Sequence, residues 1–267
     1  MGSDAEVFLF DYESYVTAVV PAFLDLLREG RVADWLDALV KRRELNPWLW
    51  NKEELARLCA GLGPDLSWVG PYDLEWTYDQ DWHQRWTSSM QACEEKTHVN
   101  LKAPAPELVE QVNWLFKVAV SVKCLSAAQF VGRSRTASDY SRVLGDMGVR
   151  GDDPVVQLLG ALGKRGFIIG YQFGTGVEGI NGWLQPSETA ALARVMDTLP
   201  LPRYEVSFAA MERFRSPETG AYESPDFSLE ALSLSFVRTT ATIAAREGRG
   251  LLWGNNVMPA KFYLEGA

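Results

Sequence analysis

Between Pro106 and about Leu125 the chain reads as a helix that is apolar around almost its whole circumference. Leu108, Val112, Leu115, Phe116, Ala119 and Val122 make one stripe, while Trp114, Val118 and Val120 extend the apolar surface beyond it. A helix of that kind has to be covered on several sides, so the rest of the chain must fold around it.

The flanking sequence supplies elements that can do so. Val7-Phe8-Leu9-Phe10 reads as an opening strand, followed by a helical pattern from Tyr15 to Leu27 that Pro21 is expected to kink or divide. Val32, Trp35, Leu36, Leu39 and Val40 share one helical face, with Lys41, Arg42 and Arg43 at the C-terminal end, where positive charge complements the helix dipole. Asn51 and Glu54 have capping-box spacing for a third helix that buries Leu55, Leu58, Cys59 and Leu62. Further helices are predicted over 137–144, over 154–162 with Asp153 as N-cap and Pro154 at the first position, and over 187–199 with Ser187 as N-cap. The last helix spans about 227–246, with Asp226 as N-cap and Gly248 as its stop. Phe167–Phe173 and Leu251-Leu252-Trp253 read as strands. The expected class is α+β, predominantly helical with a few short strands. One globular domain over 1–267 is expected, as a single unit or as two packed halves meeting near 126–136.

Composition narrows the function. With 35 acidic residues against 26 basic ones the net charge is −9, which opposes nucleic acid and anionic membrane surfaces and favours a basic protein partner. Three cysteines, an odd number without CxxC spacing, fit a reducing compartment. No apolar run approaches a membrane span, and MGSDAEVFLF has neither a basic leader region nor a cleavage motif. Glu6 stands where a myristoylation signal needs Ser or Thr, so the expectation is a cytoplasmic protein.

From 63 to 105 helical periodicity fades and aromatic residues crowd together. Trp76, Tyr78, Asp79, Asp81, Trp82 and Trp86 are the candidate binding residues, because Trp and Tyr concentrate at interface hot spots. The same segment carries an enzymatic alternative, in which acids such as Asp73, Glu75, Asp79 and Asp81 act as acid and base on a polar small molecule.

Other motifs carry less. Gly174-Thr175-Gly176-Val177-Glu178-Gly179 matches GxGxxG, but Asn181, Gly182 and Pro186 intervene before the next helix, so a flexible loop or hairpin turn is the expectation and no cofactor is predicted. Cys59, His83, Cys93 and His98 could meet around zinc, yet their spacing matches no metal module, and no metal is predicted. Arg133, Arg135 and Arg142 form a basic patch near Ser134 and Ser138, read as a solvated loop. Asn255 and Asn256 read as turn residues.

The C-terminal part, from Val206-Ser207-Phe208 through the long helix to Gly248-Arg249-Gly250-Leu251-Leu252-Trp253, resembles the ending of uncharacterised bacterial YfbM-like proteins. The opening Phe10-Asp11-Tyr12-Glu13-Ser14-Tyr15-Val16, followed by Val20-Pro21-Ala22-Phe23, resembles that of uncharacterised proteins from GC-rich bacteria. The resemblance implies a bacterial cytosolic protein with a small α+β unit and supplies no catalytic residue. The functional expectation is a non-catalytic binding or regulatory protein, of a neutralising or immunity type, for a basic partner.

Overall fold

The apolar run Val7–Phe10 places the opening strand where the sequence predicts it, β1 at Asp4–Phe10, and the strand pairs on both sides. The computed structural model describes residues 4–42, 51–61, 106–133, 140–163, 167–168, 171–172, 179–201, 216–218 and 228–257. Within them the chain is α+β and predominantly helical. It divides into two compact units: Met1–Tyr12, Leu125–Gly166 and Gly174–Ala267 form one, and Glu13–Cys124 with Phe167–Phe173 form the other.

The first unit is built on a four-stranded antiparallel sheet, ordered β2 (Leu125–Arg133), β1, β6 (Gly250–Asn255), β5 (Gly179–Leu184). Val7, Trp253 and Gly182 lie opposite one another on one face, and Phe8, Leu252 and Trp183 on the other. Every residue of β5 and β6 is buried. The helices of this unit are α6 (Ser141–Asp146), α7 (Pro154–Leu162), α8 (Pro186–Asp197) and α9 (Leu229–Arg246). α9 packs on β1, β2, β6 and α8, while α7 packs on β5, β6 and α8.

Helix α7 starts as its sequence predicts. Asp153 stands in extended conformation with Oδ1 accepting from Val155 N–H at 2.9 Å, and Pro154 follows without an N–H to satisfy. An Asp153→Ala variant is expected to lose about 1 kcal/mol of stability by urea titration, the usual worth of an N-cap.

Two other starts differ from the prediction. α8 begins at Pro186 with Gln185 as cap, its backbone N–H donating to Glu188 Oε2 at 3.0 Å in a capping box, so Ser187 lies inside the helix. α9 is capped by Ser228, whose Oγ accepts from Ala231 N–H at 3.2 Å, rather than by Asp226. Each site offered two polar residues two positions apart, and the choice between them rests on where the backbone turns.

The stop signal at the end of α9 holds. Gly248 takes φ +65°, Arg249 N–H reaches back to Ala244 O at 2.8 Å, and β6 begins at the next residue.

In the second unit the chain around Pro21 departs locally from a regular α-helix. The helix is not divided: α1 (Tyr12–Ser14), which begins at the edge of the first unit, runs into a π-helical turn, Tyr15–Val19, and on into α2 (Val20–Glu29). Pro21 has no N–H for Thr17 O, and the widened turn, with Val20 N–H bonded to Tyr15 O, accommodates the ring without a break. α2 closes at Gly30, φ +65°, with Gly30 N–H on Leu26 O at 3.0 Å and Arg31 N–H on Asp25 O at 3.2 Å.

α3 (Asp34–Val40) and α4 (Lys52–Gly61) follow, then the long apolar helix α5 (Pro106–Cys124). Phe116 is its anchor, edge-on to Phe23 at 4.8 Å between centroids and to Tyr15 at 6.2 Å. Leu115, Val118, Ala119, Val120 and Cys124 are buried with it, whereas Val122, assigned above to the buried stripe, is 40% exposed. The pair Phe167–Ile168 (β3) and Tyr171–Gln172 (β4) forms a minimal antiparallel hairpin in place of one strand through that segment.

Leu125–Arg133, beside the division between the units at Cys124–Leu125, forms β2, an edge strand of the first unit's sheet. The helix predicted over 137–144 starts later, at Ser141.

Candidate functional site

Trp76, Tyr78, Asp79, Asp81, Trp82 and Trp86 all lie outside the described residues, as do Asp73, Glu75, His83, Cys93 and His98. Cys59 lies on α4, in a stretch whose side chains are not described. Of the glycine motif only Gly179 is described; it opens β5 with φ +89°. Arg133 ends β2 and Arg142 lies on α6 within 3.6 Å of Asp146, while Ser134, Arg135 and Ser138 lie outside the described residues. Among the described residues no group of three His, Cys, Asp or Glu side chains is placed to hold a metal, and no helix is long and apolar enough to cross a membrane.

The polar residues that the fold does gather are in the interior of the first unit. Along α9, Ser233, Ser235, Arg238, Thr239 and Thr240 are buried. A helix with so many hydroxyls tolerates burial because they bond to its own turns: Ser235 Oγ–H donates to Leu232 O, Thr239 to Ser235 O and Thr240 to Phe236 O, at 2.7–3.0 Å. Tyr140, fully buried, shares a 2.5 Å hydrogen bond with Ser233 Oγ and sets its ring edge-on to Trp253 at 5.9 Å. Arg238 is buried with Nη1 3.4 Å from Leu201 O.

At the far end of β6 a second polar element appears. Asn255 closes the strand, fully buried, and its Oδ1 accepts from Asn181 Nδ2 at 3.3 Å. Asn181 occupies an irregularity in the β5–β6 register between Ile180 and Gly182 and is 4% exposed. Asn181 Oδ1 and Asn255 Nδ2 have no hydrogen-bond partner among the described residues. The turn reading of the Asn255–Asn256 pair is thus corrected for Asn255: it is a core residue paired across strands, and only Asn256, at φ +49°, makes the bend. Asn tolerates that conformation, so sequence supplied the residue type and packing decided which of the two enters the core.

On the surface of the second unit charge is organised around Lys41. Its Nζ donates to Asp37 Oδ2 at 2.7 Å, one helical turn away. That hydrogen bond and the negative charge of Asp37, with lesser contributions from Asp34 and Glu53, hold the Lys41 ammonium above its ordinary pKa of 10.5 against the opposing effect of desolvation. A raised lysine pKa contributes stability that is complete below the unfolded value and is lost as pH rises through the folded one. Lys41→Met is therefore expected to lower the urea midpoint modestly at neutral pH. The difference from wild type should shrink in high salt and close as pH climbs past 10.5.

Compared with protein-family models, with curated proteins and with solved structures, the chain matches none.

Proposed function

We propose that this chain is a non-catalytic binding protein that regulates or neutralises a basic protein partner. The observation that carries the reading is the acidic balance of the chain, 35 acidic residues against 26 basic ones for a net charge of −9. That charge speeds encounter with a positive surface and repels polyanions. The aromatic segment containing Trp76, Tyr78, Asp79, Asp81, Trp82 and Trp86 supplies the residue types that anchor such contacts.

Affinity capture from a lysate of the native host tests the reading, with wild type compared against a folded Trp82→Ala/Trp86→Ala double variant. The expected result is a stoichiometric basic protein whose capture falls with added salt and with the double substitution. Absence of any protein partner at low salt would overturn the proposal and direct attention to small molecules.

A further inference from the structure

Asn181-Gly182 is the only Asn–Gly sequence in the chain, and the fold places it inside the sheet rather than in a turn. We propose that Asn181 is a deamidation site, held unreacted by the closed β5–β6 pairing and converted when β5 opens, so that opening becomes irreversible.

The chemistry is that of any asparagine followed by a residue without a side chain. The backbone nitrogen of Gly182 loses its proton to base and attacks Asn181 Cγ. Ammonia leaves and a five-membered succinimide closes. Water then adds to one of the two ring carbonyls, and the ring opens to aspartate or to isoaspartate, in which the backbone runs through the former side chain.

Glycine at 182 is the most permissive follower because no Cβ hinders that attack, and the structure shows why no other residue stands there. A Cβ at 182 would lie 2.7 Å from Ala161 O and closer still to Leu162 O at the end of α7. The requirement that makes the sheet pack therefore also creates the reactive pair.

Three features restrain the reaction in the folded chain. Asn181 is 4% exposed, which keeps water and base away. Its Nδ2 is held by Asn255 Oδ1 at 3.3 Å. The strand on both sides is fixed by pairing with β6, whereas ring closure requires the backbone to rotate. β5 is an edge strand of the four-stranded sheet, so releasing it breaks one set of strand pairings rather than two.

Once converted, the site no longer fits. Aspartate places an acceptor oxygen where Asn181 Nδ2 donated, opposite Asn255 Oδ1, and brings a charge into the interior. Isoaspartate adds a backbone atom and shifts the register against β6.

The test uses the wild-type full chain at mildly alkaline pH, incubated either in buffer or in denaturing urea, with peptide mapping by mass spectrometry to read the one-dalton gain and the isoaspartate at position 181. Conversion is expected to be at least about 10-fold slower in buffer than in urea, and position 181 to convert before any other asparagine in urea. After dilution from urea, molecules modified at 181 should be missing from the fraction that regains near-ultraviolet circular dichroism. Equal rates in the two conditions, earlier conversion of a different asparagine, or full refolding of the modified molecules would overturn the proposal.

Discussion

Gly182→Ala is expected to destabilise the protein by about 3 kcal/mol, at the upper end of what overpacking costs, although the change adds a single methyl group. The new Cβ would meet the backbone carbonyls of Ala161 and Leu162, atoms fixed by the end of α7, so no side chain can rotate out of its way. Relief requires α7 or β5 to move, and β5 is bonded to β6 immediately beside this point. Gly145→Ala serves as the control. That glycine is an exposed position of α6 with open space where a Cβ would go, so the substitution is expected to be neutral or slightly stabilising through better helix propensity. Urea titration of both variants checks the pair. A Gly182→Ala protein as stable as wild type would mean that α7 does not close on β5 as described.

The second large effect is expected at Trp253. Truncation to alanine should cost about 4 kcal/mol, the range found for a fully buried aromatic, because the side chain is 0% exposed in the middle of a strand paired on both sides. Its neighbours limit collapse into the cavity: Tyr140 is held to Ser233 by its hydroxyl, and Gly182 opposite has no side chain to fill the space. Trp253→Phe retains the edge-on contact with Tyr140 and should recover more than half of the loss. Thermal and urea unfolding, followed by near-ultraviolet circular dichroism, separate the three proteins. A loss below about 1 kcal/mol for Trp253→Ala would contradict a central, well-packed position.

The elements legible in the sequence are those whose signal is local. β1 and the middle of β6 are apolar runs, α3 has its apolar face at helical spacing, and α7 announces itself through Asp153 and Pro154. α9 ends at the glycine that sequence marks, since Gly248 is required at positive φ. β2 escaped because Leu125–Arg133 carries few β-branched residues and continues directly from a helix, so its strand character comes from pairing with β1. β5 escaped for the opposite reason. Gly179, Asn181 and Gly182 look like turn chemistry, whereas Gly182 stands there because α7 approaches too closely for a Cβ. Of the candidate site, the Trp-rich segment was legible as composition and lies outside the described residues, and the buried Asn181–Asn255 pair was invisible because its two members are 74 residues apart.

Sequence by itself determined the helix-rich α+β class, the apolar character of α5, the caps at Asp153 and Gly248 and the acidic balance of the chain, because each follows from residues within a few positions of one another or from a sum over all of them. Tertiary structure alone decided that residues 4–10 lie between residues 125–133 and 250–255, and that Asn255 rather than Asn256 enters the core. Strand partners separated by more than a hundred residues leave no periodicity in the chain; they are selected by the apolar area and hydrogen bonds that become available only when the distant segments meet.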